Sequence, residues 1–100
     1  MYGTIARLTF KPGMHERFVQ LGREIEAQGI PGWVAEYIYQ ADTNPDEYFM
    51  AVVFESKEAY RKNAESSEQD AIYRRLRELL AADPEWHDGE IIFAKPQGGA

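Results

Sequence analysis

The sequence predicts an α+β domain built on a single antiparallel sheet, and three observations carry that prediction. The segment Glu47 to Glu55 (EYFMAVVFE) is apolar on both faces of a strand and passes directly into Ser56-Lys57-Glu58-Ala59-Tyr60, the start of a capped helix. Strand-like and helix-like periodicities follow one another along the chain in the order β, α, β, β, α, β, with one brief extra helix. With 100 residues there is room for one core and for helices over one side of a sheet. The second apolar face of the Glu47–Glu55 strand therefore predicts contact with another copy of the chain.

The first strand is expected over Tyr2–Phe10, where Ala6, Leu8 and Phe10 alternate with Ile5, Arg7 and Thr9 until Lys11-Pro12-Gly13 stops it. Met14, Phe18, Leu21 and Ile25 then recur at helical spacing as far as Gln28-Gly29, where the glycine suits a C-terminal cap. After the turn Ile30-Pro31-Gly32, a second strand sets Trp33, Ala35, Tyr37 and Tyr39 against Val34, Glu36, Ile38 and Gln40. Strict alternation would make Trp33, Tyr37 and Tyr39 an aromatic wall on one face.

The polar stretch Ala41 to Asp46 is short enough for a hairpin into the third strand. Ser56 caps the brief helix, expected to end near Asn63, and Ser66 with Gln69 has the spacing of a capping box before a helix from Glu68 to Ala82. Ile72, Leu76, Leu79 and Leu80 face its core side, Asp83-Pro84 ends it, and Trp86–Ala94 reads as the last strand. Residues 1–95 thus form one domain and 96–100 a flexible tail. The order is that of a ferredoxin-like βαββαβ fold, a four-stranded antiparallel sheet with two main helices on one face. A homodimer that meets sheet to sheet, closing a dimeric α/β barrel, would cover the other face.

Composition narrows the function. A net charge of −6 and a pI near 4.9 argue against a nucleic-acid surface, which needs a basic stripe. Arg74, Arg75 and Arg77 lie among Glu68, Asp70 and Glu78 and read as a solvated, ion-paired helix face. No run of apolar residues has membrane-spanning length and no hydrophobic signal core opens the chain, so the expected location is the cytoplasm, away from any membrane. The absence of cysteine removes disulfides, thiolate nucleophiles and iron–sulfur clusters, and two histidines far apart argue against a transition-metal site.

The stretch Glu47 to Tyr60, preceded by Pro31-Gly32-Trp33 opening a strand and by the helix after Lys11-Pro12-Gly13, resembles the antibiotic biosynthesis monooxygenase superfamily. The resemblance covers about residues 1–94 and lies in pattern and fold more than in a catalytic motif. It implies dimeric α/β-barrel architecture. It further implies one of the chemistries found among members, namely cofactor-independent oxidation of phenols or quinols, heme degradation, or no known reaction. Heme-degrading members carry an asparagine on the first strand, a tryptophan on the helix after the third strand and a histidine on the last long helix. The matching positions here hold Ala6, Tyr60 and Tyr73, which argues against heme degradation. The cofactor-free reaction fits the absence of cysteine, metal and nucleotide motifs, because the substrate supplies the electrons.

The resemblance then points to a small hydrophobic phenol, quinol or anthrone-like substrate, with no cofactor. Tyr60, at the helical position where relatives face a tryptophan to the pocket, and Tyr73 are either the orienting groups or core aromatics with their hydroxyls at the rim. Asn63 is either a polar assistant or a left-handed helix cap, and His87 either a base titrating near neutral pH or a surface histidine. Trp33, Tyr37, Leu8, Met50 and Phe18 are the expected pocket wall, if a pocket exists; otherwise Leu8, Met50 and Phe18 are plain core, and Trp33 and Tyr37 belong to dimer or core packing. Arg7 is expected to pair with an acidic residue such as Glu36 across the dimer, and His15 to be exposed and structural. The alternative is a non-enzymatic ligand-binding or stress-related dimer whose interior is filled by its own side chains. A cavity of ~300 Å³ or more with two converging polar groups distinguishes the first reading from the second.

Overall fold

The computed structural model describes residues 1–95, and the tail expected at 96–100 lies outside the described residues. Seven elements follow in the order β1 (Tyr2–Thr9), α1 (His15–Ala27), β2 (Trp33–Gln40), β3 (Glu47–Phe54), α2 (Lys57–Ala64), α3 (Ser67–Leu79) and β4 (Glu85–Glu90). The four strands form one antiparallel sheet in the order β2-β3-β1-β4, the ferredoxin-like arrangement that the sequence predicts.

The alternation of β1 and β3 sorts their side chains cleanly. Ala6, Leu8, Phe10, Tyr48, Met50 and Phe54 turn toward the helices and are buried. From α1 come Phe18 and Leu21, and from α3 Ile72, Leu76 and Leu79. Phe10, Phe18 and Tyr48 pack as a three-ring cluster with centroids 4.6 to 5.4 Å apart, the offset and edge-on geometries that aromatic quadrupoles favour. The opposite face carries Ile5, Tyr37, Tyr39 and Phe49, all exposed, with Tyr39 at 61%.

The helix ends follow local chemistry. Ser56 Oγ accepts from Ala59 N–H and Ser66 Oγ from Gln69 N–H, both at 3.1 Å, so each hydroxyl satisfies one orphan amide donor. The Gln69 side chain does not complete the capping box. It accepts from Asn63 Nδ2 instead, while the Ser66 amide bonds to Asn63 O. Asn63 itself lies inside α2 and no non-glycine residue has a positive φ among those described, so it is not a left-handed cap. Gly29 follows α1 at φ 64°, the expected C-terminal cap. Gly32 has φ 78° and a Cβ there would come within 2.7 Å of Ala59 Cβ, so this turn can press against α2 only as glycine.

Other boundaries differ from the sequence expectation. Helix α3 stops at Leu79 and not at Ala82, because Leu80 is extended, buried and bridged to Phe10, with Lys11 N–H bonded to Leu79 O and Ala81 N–H to Thr9 O. Two buried leucines hold that corner against a further helical turn. Strand β4 ends at Glu90, short of Ala94, since β1, its partner, begins at Tyr2, opposite Glu90. Ile92 and Phe93 beyond it are almost fully exposed.

One polar expectation changes. Arg7 does not reach Glu36, which lies on the other face of the sheet; its guanidinium bonds to Glu47 at 2.6 Å and to Glu85 at 3.1 Å on the neighbouring strands. His15 is exposed, and its Nδ1 shares a 2.5 Å hydrogen bond with the Tyr48 hydroxyl, to which Gln40 Nε2 also donates. The three arginines of α3 are ion-paired as expected, to Asp70, Glu24 and Asp83.

Candidate functional site

Between the covered face of the sheet and the three helices lies a cavity of about 460 Å³. Its floor can be read from the strand registers. Glu36 pairs with Val52, Val52 with Thr4, and Thr4 with Asp88, so these four residues form one row across all four strands. The next row runs Ile38, Met50, Ala6 and Trp86. Apolar walls come from Phe18, Ile25 and Leu76 of α1 and α3, while Tyr60, Asn63 and Tyr73 reach in from α2 and α3.

Six residues of the sequence-derived site therefore meet in one place, namely Trp33, Phe18, Met50, Tyr60, Asn63 and Tyr73. Three do not line it. Leu8 is completely buried in the core. Tyr37 is exposed on the opposite face, and β4 alternation sends Trp86 and Asp88 to the cavity and His87 away from it, opposite Ile5. The expected single wall of Trp33, Tyr37 and Tyr39 is broken by a β-bulge between Trp33 and Ala35. The extra residue, Val34, shifts the parity of the strand, so Trp33 joins Glu36 and Ile38 on the covered face while Tyr37 and Tyr39 stay on the other.

The polar groups of the cavity are of two kinds. Some are already satisfied by the protein. Tyr60 donates its phenolic hydrogen to Asp88 Oδ1 at 2.9 Å, and its ring is held by Tyr2 and Phe54 at centroid distances of 5.3 and 5.6 Å. Burial, and then the hydrogen bond and charge of Asp88, push the Tyr60 phenol up to about 12. It is a firm proton donor at neutral pH and no base. Asn63 likewise donates to Gln69 Oε1 at 3.2 Å.

The rest have no partner. Thr4 is 6% exposed, neighbours the Tyr60 phenol and offsets a little of its rise, yet its Oγ1 meets no group in hydrogen-bond geometry. The indole Nε1 of Trp33 is also buried and unpaired. Glu36 makes no hydrogen bond or ion pair among the described residues, and burial raises its carboxyl above the usual range. A buried polar group left unsatisfied costs about 1–3 kcal/mol. The Thr4 and Trp33 atoms are closed off from solvent behind the cavity wall, so the group that an outside molecule can reach is the Glu36 carboxylate, which has no partner among the described residues. A carboxylate with a raised pKa is also a better base toward a weakly acidic hydroxyl than an exposed one. Among the described residues no three His, Cys, Asp or Glu side chains gather in a way that could hold a metal ion, and no helix is long and apolar enough to cross a membrane.

The sequence pattern does not place Glu36, Thr4 or Asp88 in the site; it suggests Glu36 only as a partner for Arg7. Glu36 leaves a trace, being a carboxylate between the apolar Val34 and Ile38, and Asp88 follows Trp86 by two residues on the same face. Thr4 leaves none, because a threonine in a strand is ordinary until its neighbours are known.

Known proteins give a consistent picture. The family model described as antibiotic biosynthesis monooxygenase matches residues 1–75. No curated protein matches the chain by sequence. Among solved structures, SnoaB, a cofactor-independent oxygenase from Streptomyces nogalater, is similar with a TM-score of 0.80 at 17% identity, over 96% of this chain and 97% of that one. A protein from Nitrosomonas europaea that bears the family's name superposes with a TM-score of 0.77 at 18% identity, over 93% of this chain and all of its own. Another bearing that name, from Chloroflexus aurantiacus, gives 0.77 at 23% identity over 97% and 98%. At these identities the structural likeness establishes the fold.

Proposed function

The chain belongs to the antibiotic biosynthesis monooxygenase family, and on that premise we propose that it is a cofactor-independent monooxygenase acting on a small hydrophobic phenol, quinol or anthrone-like molecule. The observation that carries the reading is the 460 Å³ cavity, apolar in its walls and lined also by the polar side chains of Tyr60, Tyr73, Asn63 and Glu36. A filled interior would have favoured a purely structural protein.

In this reading the ring system lies among Trp33, Phe18 and Met50. Tyr60, kept protonated, and Tyr73 orient its oxygens, with Asn63 as polar assistant. Glu36 takes the proton whose loss makes the substrate electron-rich. That anion supplies electrons to molecular oxygen, one oxygen atom entering the product and the other leaving as water, so that anthrone plus O2 would give anthraquinone plus water. The second part of the proposal is a homodimer joined through the open face of the sheet, where Ile5, Tyr37, Tyr39 and Phe49 form an exposed apolar band.

The test is oxygen uptake with anthrone. The expected result is consumption well above the buffer rate, one O2 per anthraquinone formed, with a drop of at least tenfold in kcat for Glu36→Gln and a smaller drop for Tyr60→Phe in proteins of unchanged circular dichroism. Uptake no faster than buffer, with the molecule nevertheless bound, would replace the enzyme by a ligand-binding dimer of the same fold.

A further inference from the structure

We propose that the cavity selects uncharged, hydroxyl-bearing aromatics and rejects their carboxylate-bearing counterparts. The inference rests on reading this cavity as the substrate site and names the chemistry of what enters it.

Glu36, Asp70 and Asp88 line the cavity, and among the described residues no Lys, Arg or His does. Asp70 is neutralised from outside by Arg74, at 2.9 Å. The other two are not. Asp88 has only the Tyr60 hydroxyl, and Glu36 has nothing. Arg23 of α1 lines an adjoining groove that Glu36 also borders, but no nearby cation contributes to the state of the Glu36 carboxyl, which burial alone perturbs. Arg7 is engaged with Glu47 and Glu85 on the far face of the sheet and Arg75 with Glu24, so neither supplies a counter-charge to the cavity. A ligand anion entering here would meet the half-buried Glu36 carboxylate and the more exposed Asp88 carboxylate, with no cation lining the cavity to pair with.

Hydrogen-bond chemistry points the same way. The ionised Glu36 is an acceptor only and has no hydrogen-bond partner among the described residues. A neutral hydroxyl can donate to it. A ligand carboxylate brings no proton for it and adds like charge. Geometry sets the size. Glu36 and Asp88 stand at the two ends of one row, three inter-strand steps apart, roughly 14 Å between backbones, with Thr4 between them. A two- or three-ring aromatic with a hydroxyl at each end matches that row.

Calorimetric titration of the full chain at neutral pH with naphthalene-2,6-diol and, separately, 6-hydroxy-2-naphthoate provides the test, since the probes share the ring and one hydroxyl and differ in the charge of the second group. The diol is expected to bind at least tenfold more tightly, and Glu36→Gln to narrow the gap at least threefold. Equal or tighter binding of the naphthoate overturns the proposal, and so does failure of both probes to bind. The wild-type comparison stands whether or not the variant folds, and Asp88→Asn gives a second removal of charge. Diol selectivity without oxygen uptake would sink the monooxygenase reading and leave this one intact, whereas anthrone turnover with no preference between probes would do the reverse.

Discussion

On the helix-covered face of the sheet Ala6, Leu8, Tyr48 and Met50 are buried, whereas on the other face their sequence neighbours Ile5, Arg7 and Phe49 stand in solvent. The polar groups divide in the opposite sense. On the open face Arg7 is bracketed by Glu47 and Glu85 and fully paired. On the covered face Thr4 Oγ1 and Trp33 Nε1 are buried and unpaired, and Glu36 stands without a partner. Surface ion pairs contribute little, typically about 0–1 kcal/mol, while each unsatisfied buried group costs about 1–3 kcal/mol. The chain thus keeps its polar defects where they weaken the fold most. The open face is satisfied in hydrogen bonds and deficient only in apolar cover, which another protein surface can supply. The covered face is deficient in hydrogen bonds, which a small molecule can supply.

Substituting one residue on each face gives the largest expected effects. Leu8→Ala removes a completely buried side chain and is expected to cost about 3 kcal/mol in urea unfolding. Phe49→Asp, on the open face, is expected to change the stability of the dilute protein by less than about 1 kcal/mol but to shift the light-scattering mass from dimer to monomer and to abolish the dependence of the urea midpoint on protein concentration. If Phe49→Asp destabilised as much as Leu8→Ala with no change in mass, the open face would be part of the monomer's own core and the contrast would fail.

How much of this was legible in the sequence depends on the distance over which each feature is determined. The strands and helices are local, and Ser56, Ser66 and Gly29 act as caps where the sequence places them. The apolar face of Tyr2–Phe10 is local too, and Leu8 lies where its alternation puts it. The end of α3 is not local, because Leu80 is drawn into a bridge with Phe10, seventy positions away in the chain. Nor is the partner of Arg7, because the pairing of β1 with β3 and β4 brings Glu47 and Glu85 beside it, which no local pattern reveals. The site was legible in part for the same reason. Tyr60, Asn63 and Tyr73 project from amphipathic helices whose inward faces are readable. One bulged residue, Val34, sent Trp33 to the cavity and left Tyr37 outside it. The row of Glu36, Thr4 and Asp88 exists only once four strands are in register.

Thr4→Val sharpens the contrast at its centre. The substitution keeps the shape and deletes a hydroxyl that has no partner, so it is expected to stabilise the ligand-free protein by about 1 kcal/mol in thermal unfolding. A loss of stability would mean that Thr4 Oγ1 is bonded after all, and the covered face would then be no more deficient than the open one.

Tyr60→Phe produces the smallest of these effects and tests the satisfied half of the cavity. Removing the hydroxyl breaks its 2.9 Å bond to Asp88, and because Asp88 stays accessible to water the expected cost near neutral pH is about 1 kcal/mol, below the usual value for a bond to a charged group. The pH dependence fixes the sign. The phenol titrates at about 12 in the folded protein against 10 for a free tyrosine, so between these values the folded state retains a proton that the unfolded state has lost. The contribution of this group is therefore complete below pH 10 and declines as the pH rises toward 12. Wild type and Tyr60→Phe should differ most at neutral pH and converge in that alkaline window, and a spectrophotometric titration should lose one late-ionising phenol in the variant. A difference that instead grows with pH would mean that the folded protein favours the phenolate, and Tyr60 would then change roles from proton donor to base.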